Sequence, residues 1–298
     1  MKFSIIIASK SENDVKLQEC LRSISEQDYP KDDVEVLVIT EGTPESAKAI
    51  GLKRSTGEII CFMASDCKFT SKETIIKASI MFEYFKGLTG CYSYYYHYEP
   101  NDPILNRYFS LFGFNDPIPF YLGKCDRHPH YINQDRGLWD FANFPDKIPT
   151  LGDNGFFVRR DLIMKTDLEH YSHIDNCEDL RRKGSYSYGL LFEDIHHKTG
   201  DNLWLWIKKR MRYAESLNQN RRWRMLTNFL DYLKLCVFVI LALTFVEPLI
   251  RSAYGYFKSG IRDKAWFLHP VICFITVFLY GGLWIKIQAR NVGLLCAR

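Results

Sequence analysis

Residues Gly57 to Lys68 read GEIICFMASDCK. An unbroken apolar run, Ile59 to Met63, stops at Ala64-Ser65-Asp66. A buried strand reads this way when it ends at a crevice carrying one carboxylate. In an α/β sheet, ligands bind beyond the carboxyl ends of the strands. The stretch therefore places Asp66 where a substrate or a metal would lie.

The chain on either side repeats a strand-helix rhythm. Phe3 to Ala8 is the first strand. Ser11 to Asp14 offers capping groups for a helix patterned on Leu17, Cys20, Leu21 and Ile24, which Tyr29-Pro30 ends. Val34 to Ile39 is the second strand, closed by the turn residues Glu41-Gly42-Thr43-Pro44. A helix over Glu45 to Ser55 then leads back to Gly57. This order with short connections predicts an α/β fold on a mostly parallel, Rossmann-like sheet. No GxGxxG follows the first strand, so the dinucleotide fingerprint is absent. Further on, Ser71 to Phe85 reads as a helix and Gly87 to Tyr96 as a strand. Pro100 to Thr150 reads as a long aromatic excursion over one face of the sheet, where acceptor or lid contacts are expected. Order resumes with Gly152 and DNGFFVRRDLI, followed by a helix to about Tyr171. Ile174 to Gly184 is a helix with Glu178-Asp179 near its start, and Ser185 to Ile195 a last strand ending at His196-His197.

Composition narrows the function classes. The 298 residues are 47% hydrophobic and 25% charged, which excludes a largely disordered chain. Net charge is +4, and basic residues gather in Lys208-Lys209-Arg210, Arg212, Arg221-Arg222 and Arg224. Such a patch suits phosphate groups of a nucleotide, of anionic lipid or of nucleic acid. It adjoins an apolar tail and no recognition motif accompanies it, so nucleic acid is not expected as a partner. Nine scattered cysteines without a framework read as reduced thiols in a cytosolic setting. MKFSIIIAS is too short and too quickly polar for a signal peptide and suits a strand.

The tail points to a membrane. Leu203 to Phe229 is basic and aromatic, with Trp204, Trp206, Tyr213 and Trp223 as interfacial anchors. Leu233 to Phe245 carries one charge, Lys234, and its extension to Leu230 and Ile250 adds Asp231 and Glu247 near the ends. Trp266 to Ile285 is a cleaner span, interrupted by His269-Pro270 and Gly281-Gly282. Spanning helices need ~20 mostly apolar residues, and both segments are near that length; the competing reading is a pair of buried helices. Two spans would leave Arg251, Lys258, Arg262 and Lys264 facing outward, against the positive-inside tendency. Either the basic stretch Lys208 to Arg224 outweighs that loop or the first segment is re-entrant. The expected division is a catalytic domain over 1–202, an interfacial segment over 203–229 and a membrane anchor over 230–298.

Seven pieces now stand in a telling order: SIIIAS, ECLRSISEQDYP, VEVLVITEGTPE, AKAIGLKRSTGEIICFMASDC, GDNGFFVRRDLI, EDLRRKG and QNRRW. Together, over about Lys2 to Trp223, they resemble the inverting GT-A glycosyltransferases of family 2. The apolar tail is similar to that of members that sit on membranes and act on lipid-linked or growing polysaccharide acceptors. The resemblance implies a nucleoside-diphosphate sugar donor and Mg²⁺ or Mn²⁺ held by Asp66, with His196 or His197 completing the metal shell. It implies Asp179, in Glu178-Asp179, as general base. Ser9, Glu41, Lys53, Ser65 and Arg159 fall to the donor side, and Gln219, Arg222 and Trp223 match a QxxRW signature lining the donor diphosphate and acceptor end. It further implies attachment to membrane lipid with the catalytic domain on the cytoplasmic face. The chain departs from the family pattern at Ala64, where a first carboxylate is usual, and at Ala49, where AKAIG lacks an Asn.

Chemistry supports these roles separately. A leaving nucleoside diphosphate needs its charge neutralised by a divalent ion on carboxylate oxygen and by Arg, and an attacking hydroxyl needs a base within hydrogen-bond reach. Taken singly, the residues keep plainer readings. Asp66 also suits a strand-end cap, Glu178-Asp179 a helix-start acidic pair, His196-His197 a satisfied pair, and Arg159-Arg160 a cover for carboxylates. Transfer to polyprenyl phosphate and a noncatalytic nucleotide-sugar scaffold are the alternative functions.

Overall fold

The computed structural model describes residues 1–132, 140–220 and 228–296. In chain order the elements begin β1 (Phe3–Ala8), α1 (Val15–Ser25), β2 (Val34–Ile39), α2 (Pro44–Arg54), β3 (Ile59–Ala64), β4 (Cys67–Phe69), α3 (Thr74–Tyr84) and β5 (Gly90–Ser93). They continue with α4 (Ile104–Phe112), α5 (Pro117–Tyr121), β6 (Asp140–Asn143), β7 (Phe156–Arg159), α6 (Arg160–Ile163), α7 (His173–Arg182), β8 (Ser187–Leu191) and β9 (Ile195–His197). The last helices are α8 (Leu203–Asn220), α9 (Phe229–Thr244), α10 (Val246–Lys258) and α11 (His269–Cys296). Two compact units emerge. One comprises Met1–Glu99, Lys124–Pro129 and Gln134–Lys198; the other Pro100–Gly123, His130–Asn133 and Thr199–Arg298.

The first unit is α/β. Its seven-stranded sheet has the order β2-β1-β3-β7-β5-β8-β6. Five strands run one way; β7 and β6 run against them. Ile5 and Ile7 point to one face and Ile6 to the other, as a period of two requires. The first face packs on Leu17 and Ile24 of α1 and on Ile75 and Phe82 of α3. The second packs on Leu52 of α2 and on Cys177 and Leu180 of α7. Both faces are thus covered by helices, which is why β1 and β3 read as continuous apolar runs. The helix starts obey local chemistry. Asp14 caps α1 by accepting from the Lys16 amide at 3.0 Å. Thr43 and Ser46 form a reciprocal capping box on α2, with Pro44 in its first turn.

The second unit is helical and aromatic. Tyr108, Phe112 and Phe114 surround His269 and Trp266. His269 lies 2.9 Å from the Tyr108 hydroxyl through Nδ1 and 3.1 Å from that of Tyr121 through Nε2. Among the described residues, one stretch, Lys264–Lys286, is long and apolar enough to cross a membrane. The expected first span is divided. Phe245 takes a left-handed conformation, φ +61°, and α9 and α10 are bent by 82° across it. The pair is a broken span or a re-entrant loop, the second being an alternative the charge pattern had raised.

Three other expectations change. The excursion after Pro100 contains α4 and α5. In α4, Leu105, Tyr108, Phe109, Leu111 and Phe112 are all buried. The last strand is two, because the chain leaves the sheet after Leu191 and pairs again as β9 with β4. The helix expected up to Tyr171 is the short α6.

Candidate active site

Parallel pairing of β1, β2 and β3 delivers three carboxyl ends to one edge of the sheet. Ala8 stands opposite Ile39 and Ala64, so Ser9, Glu41 and Asp66 follow at that edge. Ser65 and Asp66 form the turn into β4. β4 and β9 form an antiparallel ribbon in which Cys67 faces His197 and Lys68 faces His196. Asp66 Oδ1 lies 3.4 Å from His197 Nε2. Among the described residues, donor atoms of Asp66, Cys67 and His197 gather within 4.8 Å of one another. A carboxylate oxygen and an imidazole nitrogen, largely shielded from water, fit a divalent cation.

The His pair is split. Successive residues of a strand point to opposite faces, so His196 leaves this cluster and packs edge-on against His97, with ring centroids 5.6 Å apart. Among the described residues, His197 is the histidine grouped with Asp66 and Cys67.

Behind the cluster lies a buried polar layer. Cys67 Sγ donates to Asn154 Oδ1 at 3.5 Å, and Asn154 Nδ2 donates to Tyr96 Oη at 2.9 Å. Arg127 donates to the Asn154 carbonyl at 2.8 Å and pairs with Asp126 at 3.1 Å. Burial pushes the Asp126 carboxyl above its ordinary range, although Arg127 opposes it. Burial also pushes the Cys20 thiol up to about 12, with the charge of Asp66 adding to it, so that thiol stays neutral.

A second cluster adjoins the first through the Asp153-Asn154 dipeptide. Asp153 Oδ2 accepts from Lys48 Nζ at 2.8 Å, and Lys48 lies 3.5 Å from Glu45. Glu45 Oε1 is 2.7 Å from His173 Nδ1, and Glu45 Oε2 accepts from the His173 amide at 2.8 Å. Burial favours the neutral form of both carboxyls. The charges of His173 and Lys48 overturn that and hold Glu45 and Asp153 below the usual carboxylate range.

The other expected residues divide. Ser9 closes β1, its amide donating to the Ile39 carbonyl at 3.0 Å. Glu41 is exposed and pairs with Arg54 at 3.2 Å, and Lys53 is exposed on α2. Arg159 is not at this edge. β7 runs antiparallel to β3, so Arg159 stands opposite Ile59, where β3 begins. Its guanidinium donates to the carbonyls of Leu88 at 2.8 Å and Phe82 at 3.0 Å. Glu178 is held by Arg181 at 2.7 Å and Arg182 at 2.9 Å. Burial alone would raise its carboxyl, but these guanidinium bonds lower it. Asp179 accepts from the Asp167 amide at 3.4 Å. It lies six residues beyond His173, about 9 Å along the helix axis. Gln219 falls within α8, and Arg222 and Trp223 lie outside the described residues.

The chain is similar at low identity to several solved structures. A mannosyltransferase from Pyrobaculum calidifontis, in complex with GDP-Man and Mn²⁺, is 15% identical, with 97% of this chain and 84% of that one covered and a TM-score of 0.46. Glucosyl-3-phosphoglycerate synthase from Mycobacterium tuberculosis, with Mn²⁺ and UDP-glucose, is 12% identical over 76% and 82% of the two chains, with a TM-score of 0.43. S. aureus TarS is 15% identical, with a TM-score of 0.39 over 82% of this chain, which spans 43% of the TarS chain. No family model and no curated protein matches the chain.

Sequence reading missed Glu45, Lys48, Asp153, Asn154, His173, Asp126 and Arg127. A signal existed for some of them. Asp153-Asn154 is flanked by Gly152 at φ +110° and Gly155 at φ +78°. A Cβ on Gly152 would stand 2.7 Å from the His173 carbonyl oxygen. Lys48 is a cation inside the small-residue run AKAIG, which a solvent-facing lysine does not need.

Proposed function

We propose that the chain is a glycosyltransferase that takes a sugar from a nucleoside-diphosphate sugar. It passes the sugar, with inversion, to a hydroxyl of a lipid-linked saccharide or polysaccharide at a membrane. The observation that carries the reading is the approach of Asp66 to His197 at the carboxyl edge of a parallel three-strand core, where α/β folds bind ligands. Asp66 and His197 would hold the divalent ion, and an oxygen-plus-imidazole set suits Mn²⁺ better than Mg²⁺, which prefers oxygen alone. Such an ion neutralises the charge that builds on the departing diphosphate. Asn154, Tyr96 and Arg127 brace the loop beneath the cluster, and Ser9 and Glu41 flank the nucleotide side. Asp179, and Glu178 beside it, are the sequence's candidates for the base. The catalytic domain would lie on the cytoplasmic face of that membrane. Exposed Leu233, Ile240, Ile250 and Phe278 support attachment to lipid.

The test is donor binding and hydrolysis by the full chain in detergent, across UDP-, GDP-, CMP- and dTDP-sugars with Mn²⁺, with Mg²⁺ and with neither. One donor is expected to be selected, with a metal requirement that Asp66→Ala removes. Metal-dependent binding unchanged in Asp66→Ala would sink the assignment. Binding without turnover under every condition would leave a noncatalytic nucleotide-sugar scaffold, a reading that the lone carboxylate after Ala64 favours.

A further inference from the structure

We infer that Cys67 is a third ligand of the ion held by Asp66 and His197, and that its sulfur turns the site toward a thiophilic cation, Zn²⁺ above all. The inference rests on the ion site of the reading above and changes which ion that site prefers.

Strand pairing puts the sulfur there. Cys67 of β4 stands opposite His197 of β9 in an antiparallel pair. Residues so placed carry their side chains on the same face of the ribbon. Asp66 comes one residue earlier and reaches His197 from the turn, with Oδ1 and Nε2 3.4 Å apart. An oxygen and a nitrogen bound to one tetrahedral Zn²⁺ stand about 3.3 Å apart, given bonds of about 2.0 to 2.1 Å. Sγ of Cys67 lies within 4.8 Å of both ligand atoms, and among the described residues no other set of His, Cys, Asp and Glu gathers in this way. Ala64, where a first carboxylate is usual, brings no donor atom, and Cys67 adds one from the other side of Asp66.

The surroundings hold these donors in place. The Tyr96 ring packs against His197 with centroids 5.5 Å apart, and its hydroxyl accepts from Asn154 Nδ2 at 2.9 Å. That bond turns Asn154 Oδ1 toward Cys67 Sγ, which donates to it at 3.5 Å. When a cation binds, the thiol proton leaves to water and a sulfur electron pair goes to the metal. An amide oxygen beside a thiolate is then stabilised by the positive charge against both. Cys67 is 1% exposed, whereas the Asp66 side chain is 19% exposed. The cation would thus have buried sulfur on one side and the more open carboxylate on the other. Mg²⁺ prefers oxygen alone, and Mn²⁺ suits carboxylate and carbonyl sets; thiolate with imidazole selects Zn²⁺. Three protein donors is also the number found in zinc sites that keep a position for a reacting group.

The experiment uses the full chain in detergent with a phosphine reductant, and its probes are the metals alone, without sugar nucleotide. Co²⁺ is expected to bind with a near-ultraviolet sulfur-to-cobalt charge-transfer band. Zn²⁺ should displace it, and Mg²⁺ in roughly hundredfold excess should not. Cys67→Ser is expected to abolish the band and to weaken Zn²⁺ binding by ~10²-fold or more, since even outer-shell changes cost 10–100-fold. Asp66→Ala keeps the sulfur and should weaken Co²⁺ binding by about tenfold or more. Zinc-edge X-ray absorption of the unaltered chain, which serves if Cys67→Ser fails to fold, should place one sulfur about 2.3 Å from the metal. An unaltered chain without the band, a band that survives Cys67→Ser, or Co²⁺ binding unmoved by Asp66→Ala would overturn the inference. So would a zinc shell of oxygen and nitrogen alone, or tighter binding of Mn²⁺ than of Zn²⁺. A chain that holds Zn²⁺ through sulfur yet binds no sugar nucleotide keeps the inference and defeats the transferase reading.

Discussion

Lys48 is 2% exposed, and two carboxylates close on its ammonium group. A buried cation persists only when paired, and removing it strands its partners. Lys48→Met keeps the volume and deletes the charge, leaving Glu45 and Asp153 without the ammonium that pairs with both. The expected cost is about 3–5 kcal/mol at neutral pH, or roughly 10 °C or more in Tm for a unit of this size. The sign with pH follows from the folded state. Both carboxyls sit below their usual range when folded, so their stabilisation is present at neutral pH and lost as pH falls below about 4. The Tm gap between the unaltered chain and Lys48→Met should therefore be widest near pH 7 and narrow below about pH 4. A gap that is constant across that range would show that packing, not charge, holds Lys48 in place.

At the level of elements, the loop that joins the two polar clusters depends on where β7 begins, and β7 has only four residues. It lies between β3 and β5 and runs antiparallel to both. Gly90 of β5 allows that approach. A Cβ there would stand 2.3 Å from the Phe157 carbonyl oxygen, a backbone atom that cannot swing aside. Gly90→Ala is expected to cost roughly 1–3 kcal/mol, read as a Tm lowered by about 5 °C. Donor affinity should fall with it, because Asp153 and Asn154 lead into this strand. A Tm unchanged by the added methyl would mean that β5 and β7 are not held at this spacing. The bend at Phe245 belongs to the same scale. A non-glycine residue in the left-handed region is uncommon and costs on the order of 1–2 kcal/mol, and here its ring stacks on Phe274, with centroids 5.1 Å apart. Hydropathy read through this bend, since it registers composition and not direction.

For the molecule as a whole, the decisive surface is apolar. Phe229, Ile240, Ile250, Phe257, Phe278 and Trp284 are all more than half exposed on α9, α10 and α11. A soluble monomer rarely exposes this many large apolar side chains without a use for them. The full chain is expected to float with phosphatidylcholine–phosphatidylglycerol vesicles in low and high salt alike. The double variant Ile240→Glu/Ile250→Glu should be largely released. Release of the unaltered chain by high salt would instead assign attachment to Lys208, Lys209, Arg210 and Arg212, whose attraction for anionic lipid salt screens.

The sequence by itself determined the strand-helix rhythm from Phe3 to Ile59, the edge at which Asp66 stands and the apolar character of the tail. Those features are written in short-range periodicity, caps and breakers, which depend on residues a few positions apart. Tertiary structure decided the rest. The choice of His197 over His196 follows from the face that β9 turns toward β4, a one-residue matter that only pairing settles. The removal of Arg159 to the far end of the sheet follows from the antiparallel sense of β7, which no local pattern records. Glu45 and His173 are 128 positions apart, as are no two residues of any motif read above. Their contact exists because α2 and α7 cover the same face of one sheet, and a carboxylate and an imidazole buried there lower their energy by finding each other.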